Sequence, residues 1–288
     1  MPELPEVEVV KKSLQDKVKN LTIKRVFINN NQLRYKINNR AFYGIEGRKI
    51  ISIKRRSKYL LINLNQGLTI LAHLGMTGKF FILNKNNEKQ KTSFYYSIKK
   101  DESKHDHLTL HLNKGIKLIY NDVRKFGFLK VFKSKSIYKS NHLKFLGPEP
   151  LNKDFNLNYI TRYCLGKKKI IKDLLMDQKF VSGLGNIYSN EILFLCKIKP
   201  ERLVEKINTK ELNNLIKYTK KILKISIIKG GSSIKDFVNT EGKSGNFQQK
   251  FNVYNKEKSK CNKKNCYGVI KKIYISNRSS FFCSKCQK

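Results

Sequence analysis

IKDLLMDQKFVSGLGNIYSNEILF, residues 171–194, is the stretch on which the fold turns. Apolar residues recur at helical spacing at both ends. The centre, MDQKFVSGLGN (176–186), carries Gly183 and Gly185, which permit a sharp turn and a close backbone approach. The spacing predicts a helical hairpin. Asn186 stands where it can cap the second helix, so exposed N–H groups there would form a phosphate site. An ordinary helix connection with glycines for packing accounts for the same residues. Lys167, Lys168, Lys169 and Lys172 just upstream favour the nucleic-acid reading.

Outward from this hairpin the helical period runs through KKKIIKDLLMDQKF (167–180), NIYSNEILFLC (186–196) and TKELNNLIKYTKKILKISIIKG (209–230), where Gly230 and Gly231 stop it. From about Phe247 an appendix carries four of the six cysteines. Cys261 and Cys266 enclose four residues, Cys283 and Cys286 enclose two, and sixteen lie between the pairs. Such knuckles place four thiolates tetrahedrally around a structural zinc ion, and the competing disulfides are disfavoured in a reducing cytosol. VIKKIYI, SNRS and SFFC read as a hairpin running into the second pair. Arg278 at its tip is either a solvated turn residue or a guanidinium held rigidly against phosphate.

Upstream, LTIKRVFIN (21–29), KIISIKR (49–55), KYLLINL (58–64), GLTILAHL (67–74), HLTLHL (107–112), GIKLIY (115–120) and FGFLKVF (126–132) predict short strands of a β-sandwich or barrel. The chain opens MPELPEVEVV. Pro5 suits a first helical turn, and Val7, Val10, Leu14 and Val18 continue at helical spacing. A proline at position 2 has no such reason. If Met1 is removed, the chain starts with a secondary amine beside the Glu3 carboxylate. Two loops hold unusual residues: AHLGMTGKF (72–80) with Met76, and NDVRKFGF (121–128) with Arg124 and Phe126. Met and Phe are ordinary core residues. On loops beside an arginine they also fit wedges that fill the gap left by an extruded base.

A formal net charge of +40 points to a polyanionic partner, with nucleic acid ahead of an anionic membrane. Lys outnumbers Arg 51 to 10, so charge alone is weak support and specific positions must carry the reading. No apolar run is long enough to span a bilayer, and the expectation is a soluble, cytoplasmic monomer.

Together, PELPEVE, RSKYLL, HLGMTG, KHDHL, DVRKFG, LGPEPL, the 171–194 stretch, GGSSIKDF, the cysteine finger and a terminal CSKCQK resemble the formamidopyrimidine-DNA glycosylases over essentially the whole chain. The resemblance implies an α+β multidomain fold: an N-terminal β-sandwich (1–133), a linker (134–158), a helix-two-turns-helix domain (159–246) and a zinc finger (247–288). DNA would cross the cleft between domains. The implied activity is excision of oxidised purines such as 8-oxoguanine and formamidopyrimidines from double-stranded DNA, followed by lyase cleavage at the abasic site. In that pattern Pro2 is the nucleophile, Glu3 the acid at the opening sugar, Lys58 a general acid/base in the first elimination and Arg278 the partner for the second. His73, His105, Arg124, Lys167 and Asn186 fall at DNA contacts. Met76, Arg124 and Phe126 fall at the void-filling triad. Zinc on Cys261, Cys266, Cys283 and Cys286 is the implied cofactor.

The chain departs from the pattern in three places. The first cysteine pair is spaced by four residues rather than two, Asp122-Val123-Arg124-Lys125 stands for the usual D-P-R-R, and residues 84–104 resemble an insertion. The nearest rival is the sister branch acting on oxidised pyrimidines, against which LPEVE after Pro2 and Glu3 argues. A non-enzymatic zinc-containing nucleic-acid-binding protein is the rival of another class, and it has no use for a free proline amine.

Overall fold

The structure is a computed structural model that describes residues 1–86, 88–93, 102–231 and 251–288. Residues 87 and 94–101 of the insertion-like segment, and most of the GGSSIKDF–GKSGNF loop, lie outside the described residues. The chain divides into two compact units. The first is Met1–Lys144 with the described residues of the segment beginning at Lys229, and the second is Phe145–Ile228 with the described residues from Phe251 onward.

The first unit opens with α1 (Leu4–Val18), then β1 (Ile23–Ile28), a short α2 (Asn39–Tyr43), β2 (Ile50–Arg56), β3 (Tyr59–Leu64), β4 (Leu68–His73) and β5 (Lys79–Leu83). It closes with β6 (Lys89–Lys91), β7 (Asp106–Leu112), β8 (Lys117–Asn121) and β9 (Phe128–Lys133). All pairings are antiparallel, in two sheets of order β1-β7-β8-β5-β6 and β2-β3-β4-β9. Inward residues from both sheets and from α1 share one core: Val7, Val10 and Leu14 are fully buried with Ile50, Leu60, Ala72, Phe81 and Tyr120. Each fully buried Val, Leu, Ile or Phe among them contributes roughly 1.5–3 kcal/mol. The register places Arg56 opposite Tyr59, so Ser57 and Lys58 form a two-residue hairpin turn, with Ser57 at φ 57°. The expected β-sandwich is present. Strand β5, KFFIL, was not expected, because an apolar run without alternation is indistinct beside a glycine-rich loop.

The second unit contains α3 (Leu157–Cys164), α4 (Ile171–Met176), α5 (Asn186–Cys196), α6 (Thr209–Ile228) and the hairpin β10 (Ile270–Ile275) with β11 (Arg278–Cys283). Helix α5 is buried on nearly every face, so its polar residues need internal partners. Glu191 has four: its carboxylate accepts the N–H groups of Asn252, Val253 and Tyr254 and the Asn252 amide at 2.8–2.9 Å. Asn190 Oδ1 accepts the Phe281 N–H at 2.7 Å. These bonds fasten the cysteine finger to α5. The helix expected over 167–180 is shorter, six residues from Ile171, because Ile170 bridges to Leu203 and Asp177 caps the end. Among the described residues no helix is long and apolar enough to cross a membrane.

Candidate nucleic-acid interface and metal centre

The N-terminus is tucked into the first unit rather than trailing from it. Pro2 is buried and Glu3 is only 2 % exposed. Glu3 is the N-cap of α1, and Glu6 accepts its backbone N–H at 2.8 Å as in a capping box. Burial holds the Met1 amine below its ordinary 8.0. Glu3 and Glu6 pull the other way, while the cations of Lys58 and Arg124 add to the lowering. Four residues that the sequence spreads over 120 positions thus act on one nitrogen. Lys58 reaches it from the β2–β3 turn and is itself 7 % exposed.

Beside the terminus lies an open pocket of about 560 Å³ lined by Met1, Arg34, His73, Met76, Arg124 and Phe126 among others. Met76 is 41 % and Phe126 46 % exposed, so neither is a core residue. The Arg124 guanidinium lies 4.7 Å from the Phe126 ring centroid. Arg34 was not anticipated, since NQLRYKIN carries no motif to single it out.

His73 has a second task. It stacks on Phe128 with centroids 5.7 Å apart, and its Nδ1 accepts the Gly75 N–H at 3.0 Å. Burial, aided by Lys58, Arg34 and His142, lowers its pKa to about 4, so the ring is neutral and Nδ1 is available as an acceptor. His73 therefore holds the Met76 loop as well as lining the pocket. His105 is half-buried at the end of a helical turn, and its carbonyl accepts the Asp122 N–H at 3.1 Å.

In the second unit Lys167 sits in the turn between α3 and α4 with its ammonium 4.6 Å from the Tyr163 ring centroid. Lys169 is paired to Asp177 at 2.9 Å. Lys172 departs from the expected basic face: it is 1 % exposed and donates to Ser279 O at 3.0 Å and to Ser280 Oγ. Asn186 is not the cap of α5 either. Gly185 holds that position, and Asn186 Nδ2 donates to Ser279 O at 3.0 Å. Ser276 Oγ donates to Asp173 at 2.8 Å. Three side chains from α4 and α5 thus grip the β10–β11 hairpin on both sides of Arg278, whose side chain lines a pocket with Lys169, Met176 and Asp177.

The sulfur atoms of Cys261, Cys266, Cys283 and Cys286 all lie within 4.8 Å of one another. Three of the separations are 3.3, 3.5 and 3.6 Å. These are far too long for disulfides and close to the ~3.8 Å edge of a tetrahedron built on metal–sulfur bonds of about 2.3 Å. A Cβ on Gly268 would come within 2.5 Å of Cys283 Sγ, so the knuckle closes round the sulfurs only with glycine there. The donor set fits a metal ion.

Two family models match the chain: the formamidopyrimidine-DNA glycosylase N-terminal domain over residues 1–129 and the formamidopyrimidine-DNA glycosylase H2TH domain over residues 146–238. Formamidopyrimidine-DNA glycosylases from Ruegeria sp. and Rickettsia bellii are 38% and 41% identical to it, each aligned over all of both chains. Among solved structures, the Lactococcus lactis Fpg in complex with DNA containing N7-benzyl-Fapy-dG superposes with a TM-score of 0.85 at 31% identity, covering 100% of each chain. The same protein with abasic-site DNA gives 0.85 over 99% of each chain.

Proposed function

The chain belongs to the formamidopyrimidine-DNA glycosylase family and is a DNA glycosylase of base-excision repair, and from that premise we propose that its chemistry runs through the Pro2 nitrogen. The observation that carries this reading is the buried Pro2 beside Glu3, at a terminus that adjoins the pocket and where burial already holds the Met1 amine below its ordinary value.

With Met1 removed, the secondary amine adds to C1′ of the damaged nucleotide. The bond from C1′ to the base breaks, and the base leaves with the electron pair and takes up a proton. Glu3 protonates the sugar oxygen as the ring opens. The resulting iminium withdraws electrons from C2′, so loss of a C2′ proton expels the 3′ phosphate, with Lys58 moving the proton. A second elimination, with Arg278 holding the phosphate, expels the 5′ phosphate. Water then frees the sugar fragment and returns the amine. Met76, Arg124 and Phe126 occupy the gap in the duplex, and His73, His105, Lys167 and Asn186 support the DNA grip. Double-stranded DNA with oxidised purines or abasic sites is the substrate, and the bacterial relatives support a cytoplasmic, nucleoid-associated enzyme. The four cysteines hold one zinc ion, which with no ligand position spared supplies structure rather than chemistry.

Borohydride should convert the iminium into a permanent protein–DNA adduct on duplexes containing 8-oxoguanine or an abasic site, with the cross-link mapped to the N-terminal residue. A cross-link at a lysine, or none, refutes the assignment. Because a Lactococcus lactis Fpg has also been solved with DNA containing an oxidised pyrimidine, the same assay on that lesion ranks the two substrate classes.

Two further outcomes follow from the geometry. Burial depresses the Met1 amine at this terminus, and a Pro2 amine freed by removal of Met1 meets the same desolvation, so the acid limb of the trapping rate against pH is expected below that of the same N-terminal proline in an unfolded peptide. Coincident limbs would show that the fold does not tune it. Phe126→Ala removes a ring that is 46 % exposed and should shift stability by no more than about 0.5 kcal/mol. Excision from a paired duplex should slow about tenfold for each ~1.4 kcal/mol of lost wedge stabilisation. A large drop in Tm would instead mark Phe126 as packing.

A further inference from the structure

The wedge residues stand on two separate loops, one after β4 and one after β8, and nothing about an exposed Met or Phe holds it in place. What lies beneath them does. Asp122 is 0 % exposed, and its carboxylate joins the loops: Oδ1 accepts the Thr77 hydroxyl at 2.5 Å and Oδ2 accepts the Gly127 N–H at 2.7 Å. Thr77 Oγ1 in turn accepts the Arg124 N–H at 3.0 Å, so one hydroxyl serves both loops. Below them Tyr120, fully buried, donates its hydroxyl to His73 O at 3.2 Å.

The backbones also touch. A Cβ on Gly75, which sits at φ +57°, would lie 2.4 Å from Gly127 N. A Cβ on Gly127 would lie 2.6 Å from His73 O, and one on Gly78 would lie 2.5 Å from the Tyr120 hydroxyl. The loops can meet this closely only because these positions lack side chains.

We propose that Asp122 and Thr77 are positioning residues that weld the two loops into one preassembled wedge, and that this weld sets how well the enzyme discriminates a lesion in an intact pair from one that is already unpaired. The proposal rests on the reading of Met76, Arg124 and Phe126 as the void-filling residues. Ordering two free loops around an extruded base would cost conformational entropy at the moment the base leaves the stack. With the loops already joined, that cost is met on folding. The benefit scales with the work of extrusion, which is greatest for a well-paired base and small for an unpaired site.

Thr77→Val keeps the shape and removes the hydroxyl shared by Asp122 and Arg124, whereas Thr77→Ser keeps the hydroxyl. Single-turnover excision of 8-oxoguanine paired with cytosine is expected to fall roughly tenfold or more in Thr77→Val, since the extrusion work it supports amounts to a few kcal/mol. Borohydride trapping on a single-stranded abasic site should hold, and Thr77→Ser should restore the duplex rate. Equal loss on both substrates, or loss on neither, overturns the proposal. In the wild-type protein without DNA, the Arg124 amide should exchange its hydrogen slowly despite standing on an exposed loop. Fast exchange there would also overturn it, whatever the stability of the variants. Failure of wild-type trapping would strike the Pro2 mechanism instead and leave this exchange result standing.

Discussion

A protein that keeps Met1 is expected to lose borohydride trapping and strand cleavage together while still binding DNA. A bulky residue inserted between Met1 and Pro2 would prevent removal of the initiator and provide this form. The physical reason is twofold. With Met1 in place, the Pro2 nitrogen is an amide whose lone pair is delocalised, so it cannot add to C1′. The terminal amine is then that of Met1, one residue further along the chain from α1 than the Pro2 nitrogen, and so it is out of register for the attack that Pro2 would make. Binding depends on a different set of groups, the lysines and arginines that neutralise phosphates, and it should keep its steep salt dependence. Pro2→Gly retains an amine, but a primary and more flexible one, and should trap at a reduced rate. Full cleavage by protein shown by mass spectrometry to retain Met1 would remove the mechanism.

Stripping the metal, or changing Cys266 to Ser, is expected to abolish specific DNA binding while leaving most of the helical content of the second unit. The finger core is small, with Val253, Ile270, Phe281 and Cys283 packed against Phe194 of α5. Zinc binding contributes roughly 10–16 kcal/mol in comparable peptides, more than such a core supplies. Helices α4 to α6 have their own buried residues, including Ile171, Leu174, Tyr188, Leu193 and Leu223, and do not depend on the sulfurs. What is lost is the base of the hairpin: Cys283 ends β11, five residues from Arg278. The bonds from Lys172, Asn186 and Asp173 then grip a hairpin with one end loose. Metal analysis should find one zinc per chain, restored binding should follow zinc addition to the chelated wild type, and an active preparation containing no zinc would refute the assignment.

Much of the architecture is legible in the chain because its signals are local. Alternating β-branched residues between turn signals mark β1 to β4 and β7 to β9, since a strand's two faces repeat every second residue. The extent of α5 follows from its 3.6-residue period and the preceding glycines. The cysteine spacings mark a metal knuckle, and the four sulfurs converge. Pro2 and Glu3 stood out because no helix start requires a proline at the second position.

The remainder depended on what the fold brings from elsewhere. Lys172 belongs, in the sequence, to a basic cluster; in the structure it is buried because acceptors at Ser279 and Ser280 arrive from more than a hundred positions away. Asn186 looked like a helix cap and instead reaches the same hairpin. His73 stands in the sequence only as a DNA contact implied by the resemblance, and in the structure it is neutral because burial beside Lys58 and Arg34 disfavours its charged form. Arg34 had no motif, and Asp122 carried no sign of joining two loops, since its partner Thr77 lies 45 positions earlier. Secondary structure and ligand spacing are set by neighbours along the chain, which a sequence displays. Burial, hydrogen-bond satisfaction and the field at a titrating group are set by neighbours in space, and only the tertiary structure selects those.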